Sequence, residues 1–197
     1  MLCQFTVKNF KSIRDEVTFD MQAAAISEHE DRIIIDKDEE KYLPVSTVYD
    51  SNGGGKSNVL AALHTLVAKV LRPLLVTEDS EEKVLLQRKI IVEPFAFSKS
   101  KDEPTEFELF FRTTVSEYRY ILHVKRDIVL YESLDRVKLE TGRKSALFTR
   151  DENGIVLKGA FAKLKVSDEL SKTLTLLSYL GIAYKGNAVV KDVLSLV

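Results

Sequence analysis

Residues 50–57, Asp-Ser-Asn-Gly-Gly-Gly-Lys-Ser, have the residue types and spacing that could hold a chain of phosphates. A triphosphate needs many short donors around it. Consecutive backbone N–H groups supply them only where no side chain blocks the approach, and Gly53, Gly54 and Gly55 meet that need. In the pattern G-x-x-x-x-G-K-[ST], Lys56 would reach the β- and γ-phosphates and the Ser57 hydroxyl would bind Mg2+. The ligands implied are ATP and Mg2+. Asn52 would permit the loop geometry, and Asn58 completes the candidate binding stretch.

The first position of the pattern holds Asp50, where glycine is usual. A carboxylate ~6 Å from a phosphate charge opposes it by roughly 3 kcal/mol at an effective dielectric of about 20, or about a hundredfold in affinity per unit charge. That cost shrinks if Asp50 faces solvent or pairs with a cation, and the donors of residues 53–57 remain. The sequence thus provides a cradle whose affinity depends on one acidic neighbour. The plainer reading is a glycine-rich turn that happens to precede Lys-Ser.

Such a loop works between a strand and a helix. Pro-Val-Ser-Thr-Val-Tyr at 44–49 is β-branched and aromatic and predicts a buried strand entering the glycines. Val59, Leu60, Leu63, Leu66, Val67, Val70 and Leu71 recur at helical spacing and predict a helix over 57–72, ended by Pro73. Upstream, residues 2–9 alternate as a strand, with Asn9-Phe10-Lys11-Ser12 as its exit and Val17, Phe19 and Met21 as its hairpin partner. Residues 27–41 read as a charged connection carrying one short strand at Ile33-Ile34-Ile35.

Residues 78–89 predict a charged helix or linker, and 89–158 an antiparallel β-meander. Lys89 to Phe97 would be one of its strands. Phe107, Leu109 and Phe111 share a face, as do Tyr118, Tyr120, Leu122 and Val124. Asp151 to Gly154 is a hairpin turn. Ser167 is placed to cap a helix carrying Leu170, Leu174, Leu177 and Leu180 and stopped by Gly181. The last residues, 188–197, are still apolar and periodic.

Asn9-Phe10-Lys11-Ser12 after an N-terminal strand, followed by Tyr49-x-x-Asn52-Gly-Gly-Gly-Lys-Ser-Asn58, resembles the N-terminal lobe of SMC-like and ABC-type ATPases. More narrowly, the chain resembles bacterial AAA ATPase-like proteins related to the overcoming-lysogenization-defect nucleases, several of which serve phage defence. The Pro94-Phe95 stretch, Tyr118 to Leu122, Ile128 to Leu134 with Glu132, and Leu147 to Arg150 extend the likeness over nearly the whole chain. It implies an α/β P-loop NTPase lobe of ABC/SMC-like type, its Walker A loop on a mixed sheet, with the meander beside it. It places Lys11 near the nucleotide phosphates and brings Ser12 close. The alternative for Lys11 is a solvated turn lysine. The resemblance also implies ATP-driven pairing of two protomers or with a complementary ATPase lobe, and makes an effector nuclease a candidate partner.

In such ATPases the Walker B Asp-Glu pair, the signature motif and a switch histidine lie in a C-terminal lobe. No apolar strand ending in Asp-Glu occurs after residue 160, and Asp168-Glu169 reads as the first turn of a helix. Poor hydrolysis by this chain alone is therefore expected. The expectation is one lobe truncated before the Walker B lobe: strand hairpin, loop and helix at 1–76, meander at 77–160, helical segment at 161–197.

Ser27 to Asp31 groups His29 with carboxylates but lacks regular metal-ligand spacing, so a solvated loop is the simpler reading. His64 and His123 have no evident catalytic partner. Arg119, His123 and Lys125 share a strand face, and Arg143, Lys144 and Arg150 add charge near a turn, which makes DNA contact a secondary hypothesis. The alternative for the whole chain is a non-catalytic protein- or DNA-interaction module with a degenerate loop. A net charge of −1 gives no global attraction to polyanions. The lone Cys3 forms no internal disulfide and reads as a small buried hydrophobe. With no apolar run near the ~18 residues needed to span a bilayer, and no leader pattern, a cytoplasmic protein without membrane contact is expected.

Overall fold

The computed structural model describes residues 1–25, 30–49, 55–75, 90–97, 102–167 and 169–195. The chain folds as an α/β structure: a seven-stranded sheet with helices packed on one face. The strands are β1 (Leu2–Lys8), β2 (Val17–Asp20), β5 (Thr105–Arg112), β6 (Ser116–Lys125), β7 (Ile128–Lys138), β8 (Lys144–Asp151) and β9 (Gly154–Leu157). They lie in the order β2-β1-β5-β6-β7-β8-β9. A separate two-stranded arm pairs β3 (Ile34–Ile35) with β4 (Lys41–Tyr42). The helices are α1 (Lys56–Leu75), α2 (Leu176–Ala183) and α3 (Ala188–Leu194).

The alternation read from the sequence sets the faces. Phe107, Leu109 and Phe111 on β5, and Tyr118, Tyr120, Leu122 and Val124 on β6, all point into the core. Their register pairs Leu109 with Tyr120 and Phe111 with Tyr118, whose rings stack at 5.2 Å. The β8–β9 turn falls at Asp151–Gly154, as expected. Ala62, Leu66 and Val70 of α1, Leu176, Leu177 and Leu180 of α2, and Val190 and Val193 of α3 close the core over this face.

Several expectations are corrected. All seven strands pair antiparallel, so the sheet is not mixed. Residues 44–49 form no strand: they are exposed, with Val45 at 71%, Val48 at 43% and Tyr49 at 88% exposure. Strand propensity makes a strand only beside a partner strand, and among the described residues none pairs with this run. In 90–97 only Val92 pairs, bridging Arg126. Pro73 lies inside α1 and not at its end. It forgoes the N–H bond to residue i−4 and its ring crowds that carbonyl, and the helix runs only to Leu75 beyond it. Ser167 caps only a turn at Glu169, so Glu169 does not open a helix, and Asp168 lies outside the described residues. The helix beyond begins at Thr175, whose hydroxyl accepts from the Ser178 amide. Gly181 sits within that helix because a Cβ there would stand 2.7 Å from Leu74 Cδ2 and 2.8 Å from Leu194 Cδ1. The absence of a side chain lets three helices meet.

Helix α1, at 20 residues, is long and apolar enough to cross a membrane, contrary to the sequence reading. Here it packs on the sheet, and buried Lys69 donates to the Asp127 carbonyl at 2.7 Å. The segment 78–89 and the cluster around His29 lie outside the described residues, save Glu30 and Asp31.

Candidate phosphate-binding site

The turn after β1 is built residue by residue. Asn9 and Lys11 both adopt positive φ, 56° and 48°. Asparagine tolerates that region better than most residues, and here its side chain is fully engaged. Asn9 Nδ2 donates to the carbonyls of Glu103 and Pro104, both at 3.1 Å, and Oδ1 accepts from the Phe95 amide at 3.0 Å. The Thr105 hydroxyl donates to the Asn9 carbonyl at 2.6 Å. Phe10 is buried edge-on to Phe107 at 6.1 Å. Phe10 and Ile13 exchange backbone hydrogen bonds of 2.8 and 2.7 Å. The result is a rigid hook whose tip, Lys11 and Ser12, is exposed. The Lys11 amide donates to the Glu93 carbonyl at 2.9 Å, and its ammonium stands 5.5 Å from the Phe10 ring centre.

The hook meets the start of α1. Asn58 Nδ2 donates to Ser12 Oγ at 2.6 Å. Gly55 has φ +86°, and a Cβ there would lie 3.2 Å from Ser12 Oγ. The Asn58 amide returns to the Gly55 carbonyl at 2.8 Å, closing the first turn. Lys56 is half-buried, Ser57 is exposed, and the first turn of α1 contains no acidic residue. A helix start presents unpaired amides and the positive end of its dipole, which suits an anion.

Of the residues singled out from sequence, the structure brings Ser12, Gly55 and Asn58 into contact, with Lys11, Lys56 and Ser57 adjoining them in the chain. Asp50, Asn52, Gly53 and Gly54 lie outside the described residues. At Gly55 the positive φ is strained for any residue with a side chain, and a Cβ there would press on Ser12 Oγ. Ser57 is exposed at the helix start, where a hydroxyl ligand to Mg2+ would need to be. Among the described residues no group of three or more His, Cys, Asp or Glu is placed to hold a metal on its own.

Two further clusters are structural. Glu132 on β7 is fully buried, and its carboxylate accepts from the amides of Leu176 (2.6 Å) and Leu177 (3.0 Å) and from the Tyr120 hydroxyl (2.9 Å). Burial pushes its pKa up, and these three hydrogen bonds oppose the push. Arg150 donates to the carbonyls of Leu174 and Ser171 at 2.7 and 3.2 Å. This network ties α2 to the sheet. The sequence signalled it through a glutamate at an inward position of an apolar strand. Arg112 likewise binds Asp38 (2.6 Å), Glu117 (2.7 Å) and Asp36 (3.2 Å), fastening the β3–β4 arm.

The basic strand face is largely neutralised. Arg119 pairs with Glu108, and Glu106, Glu117 and Asp135 lie across from or beside the same face. Arg150 points inward, not toward a ligand in solvent. His64 is exposed on α1, and the His123 ring lies 5.1 Å from Tyr131. Burial raises the Cys3 thiol to about 11, consistent with an inert core position.

Compared with known proteins, the chain matches no family model, and no curated protein matches it significantly.

Proposed function

We propose that this chain is the nucleotide-binding lobe of a P-loop ATPase of the SMC/ABC type, holding Mg-ATP where the Ser12 hook meets the start of α1. The observation that carries this reading is the approach of Ser12 to Asn58, 46 positions away, and to Gly55 beside it. A chance Gly-Lys-Ser turn gives no reason for a fitted serine over the glycine that precedes the lysine. In this reading the amides of residues 52–57 surround the phosphates, Lys56 neutralises them, Lys11 adds charge from the hook, and Ser57 ligates Mg2+. Hydrolysis needs a water-positioning carboxylate. We place it on a complementary lobe or a second protomer, and assign the protein to the cytoplasm, with phage defence as its setting.

The exposed segment 44–49 supports that division. Its Val45, Val48 and Tyr49 suit a strand that gains neighbours only when another lobe docks. The same segment, left unpaired, also favours a second reading: an interaction module in which nucleotide binding is lost.

Titration calorimetry with Mg-ATP tests the assignment. Wild type should bind, Lys56→Ala should not, and Asp50→Gly should bind about a hundredfold tighter if that carboxylate faces the phosphates. Unchanged affinity in Lys56→Ala overturns the site. No heat from either wild type or Asp50→Gly leaves the interaction module as the better account.

A further inference from the structure

At the far end of the meander, a cavity of about 210 Å³ opens between the β7–β8 hairpin and the turn at 159–161. Its lining is Arg136, Lys138, Arg143, Ser145, Gly159 and Ala160. Three cations and no carboxylate face it. Arg136 Nε is the one buried side-chain nitrogen or oxygen without a hydrogen-bond partner among the described residues. A buried guanidinium donor left unpaired costs stability unless water or an anion completes it.

The fold holds these groups in place. Arg136 pairs across the sheet with Tyr118 on one side and Ser145 on the other, so it points to the helical face. The Lys138 amide donates to the Arg143 carbonyl at 3.1 Å, closing the hairpin that brings both cations to the rim. Gly159, at φ +52°, forms the opposite wall. A Cβ there would lie 2.9 Å from the Ala146 carbonyl oxygen, so the wall approaches the strand as closely as backbone allows.

Two acids stand near the group: Glu140 and Asp192 line a larger adjoining cavity that Arg136 and Lys138 also line. The Asp192 carboxylate accepts from Tyr118 (2.6 Å) and Thr113 (3.1 Å). Neither acid takes a hydrogen bond from Arg136 Nε. The segments 136–145 and 158–165 carry seven Lys or Arg and a single carboxylate, Glu140, in a chain whose net charge is −1. Like charges gathered around a small cavity repel one another unless an anion sits between them. The planar arginine fork and two lysine or arginine donors match the oxygens of a phosphate group.

We propose that this cavity is an anion site, separate from the start of α1, that takes one phosphate group through Arg136, Lys138 and Arg143. The phosphate is either a free anion or part of a nucleic-acid backbone.

Two-dimensional NMR of the full chain tests this through the Arg136 Nε–H and the amides of Ser145, Gly159 and Ala160. Inorganic phosphate should shift these signals to saturation, while sodium chloride at matched ionic strength should not. Arg136→Gln should weaken binding about tenfold or more. So should the Lys138→Ala/Arg143→Ala variant, whose two exposed positions leave the core intact. In a parallel arm, a short single-stranded oligonucleotide that saturates the same signals at lower concentration identifies a backbone phosphate as the ligand. Response to phosphate without response to the oligonucleotide identifies a free anion. Equal shifts with chloride, no shifts at all, or unchanged affinity in the double variant overturn the site. Lys56→Ala should leave every one of these signals' responses unaltered, which separates this result from that for the nucleotide site.

Discussion

Asn58, in the first turn of α1, donates its side-chain amide to the Ser12 hydroxyl at 2.6 Å across 46 positions of sequence. The bond joins the exit of β1 to the start of the helix that follows the glycines. Ser12→Ala removes the acceptor at an exposed site, so the fold should lose only about 0.5–1.5 kcal/mol in urea denaturation. The larger effect should be on Mg-ATP affinity, because the hook no longer fixes the helix start. A variant that binds as wild type does would show that the hook takes no part in the ligand site.

Gly55→Ala should fail for two reasons at once. Its φ of +86° is strained for alanine, and its Cβ would press on Ser12 Oγ at 3.2 Å. We expect a stability loss of about 1–2 kcal/mol by chemical denaturation together with loss of nucleotide binding. Retained stability would mean that the turn relaxes freely.

Glu132 anchors α2 to the sheet through the Leu176 and Leu177 amides. Glu132→Gln turns an amide toward a backbone donor and should cost about 1–3 kcal/mol. Glu132→Ala leaves two helix amides and Tyr120 unpaired beside Arg150 and should cost about 3 kcal/mol or more. Urea unfolding measures both. A loss below ~1 kcal/mol in the alanine variant would show that α2 docks without this carboxylate.

His123 provides a pH test. Burial pushes its pKa below the ordinary value of 6.5. The folded state then binds fewer protons than the unfolded state, so stability rises with pH in the window below 6.5. That contribution is present above the unfolded pKa and lost as pH falls through the folded one. Denaturation curves between about pH 5 and 7 should show the stability of wild type rising relative to His123→Gln as pH increases. A pH-independent difference would contradict the assignment.

Much of the fold was legible from period-two alternation. Phe107, Leu109 and Phe111 could share only one face, and Tyr118 through Val124 had to meet them. The helix after Gly55 was equally plain, since Leu66 and Val70 recur one turn apart. What failed was context. Val45, Thr47 and Val48 have strand propensity, but propensity supplies no partner strand. Leu170 and Leu174 keep helical spacing, but the cap lies at Thr175, where a hydroxyl meets the Ser178 amide. Gly181 read as a stop because sequence does not show that Leu74 and Leu194 crowd it. At the site, the glycines and Lys56 stood out by type. The Ser12–Asn58 bond did not, because it joins two ordinary polar residues brought together only by folding.

The central claim is that the junction of Ser12, Gly55 and α1 holds nucleotide phosphates. NMR of labelled protein with magnesium and a nonhydrolysable ATP analogue tests it most directly. The account predicts saturable shifts at the amides of Gly55, Lys56 and Ser57, with Ser12 and Asn58 moving in step, all lost in Lys56→Ala. Unchanged spectra at those residues under saturating analogue would contradict it.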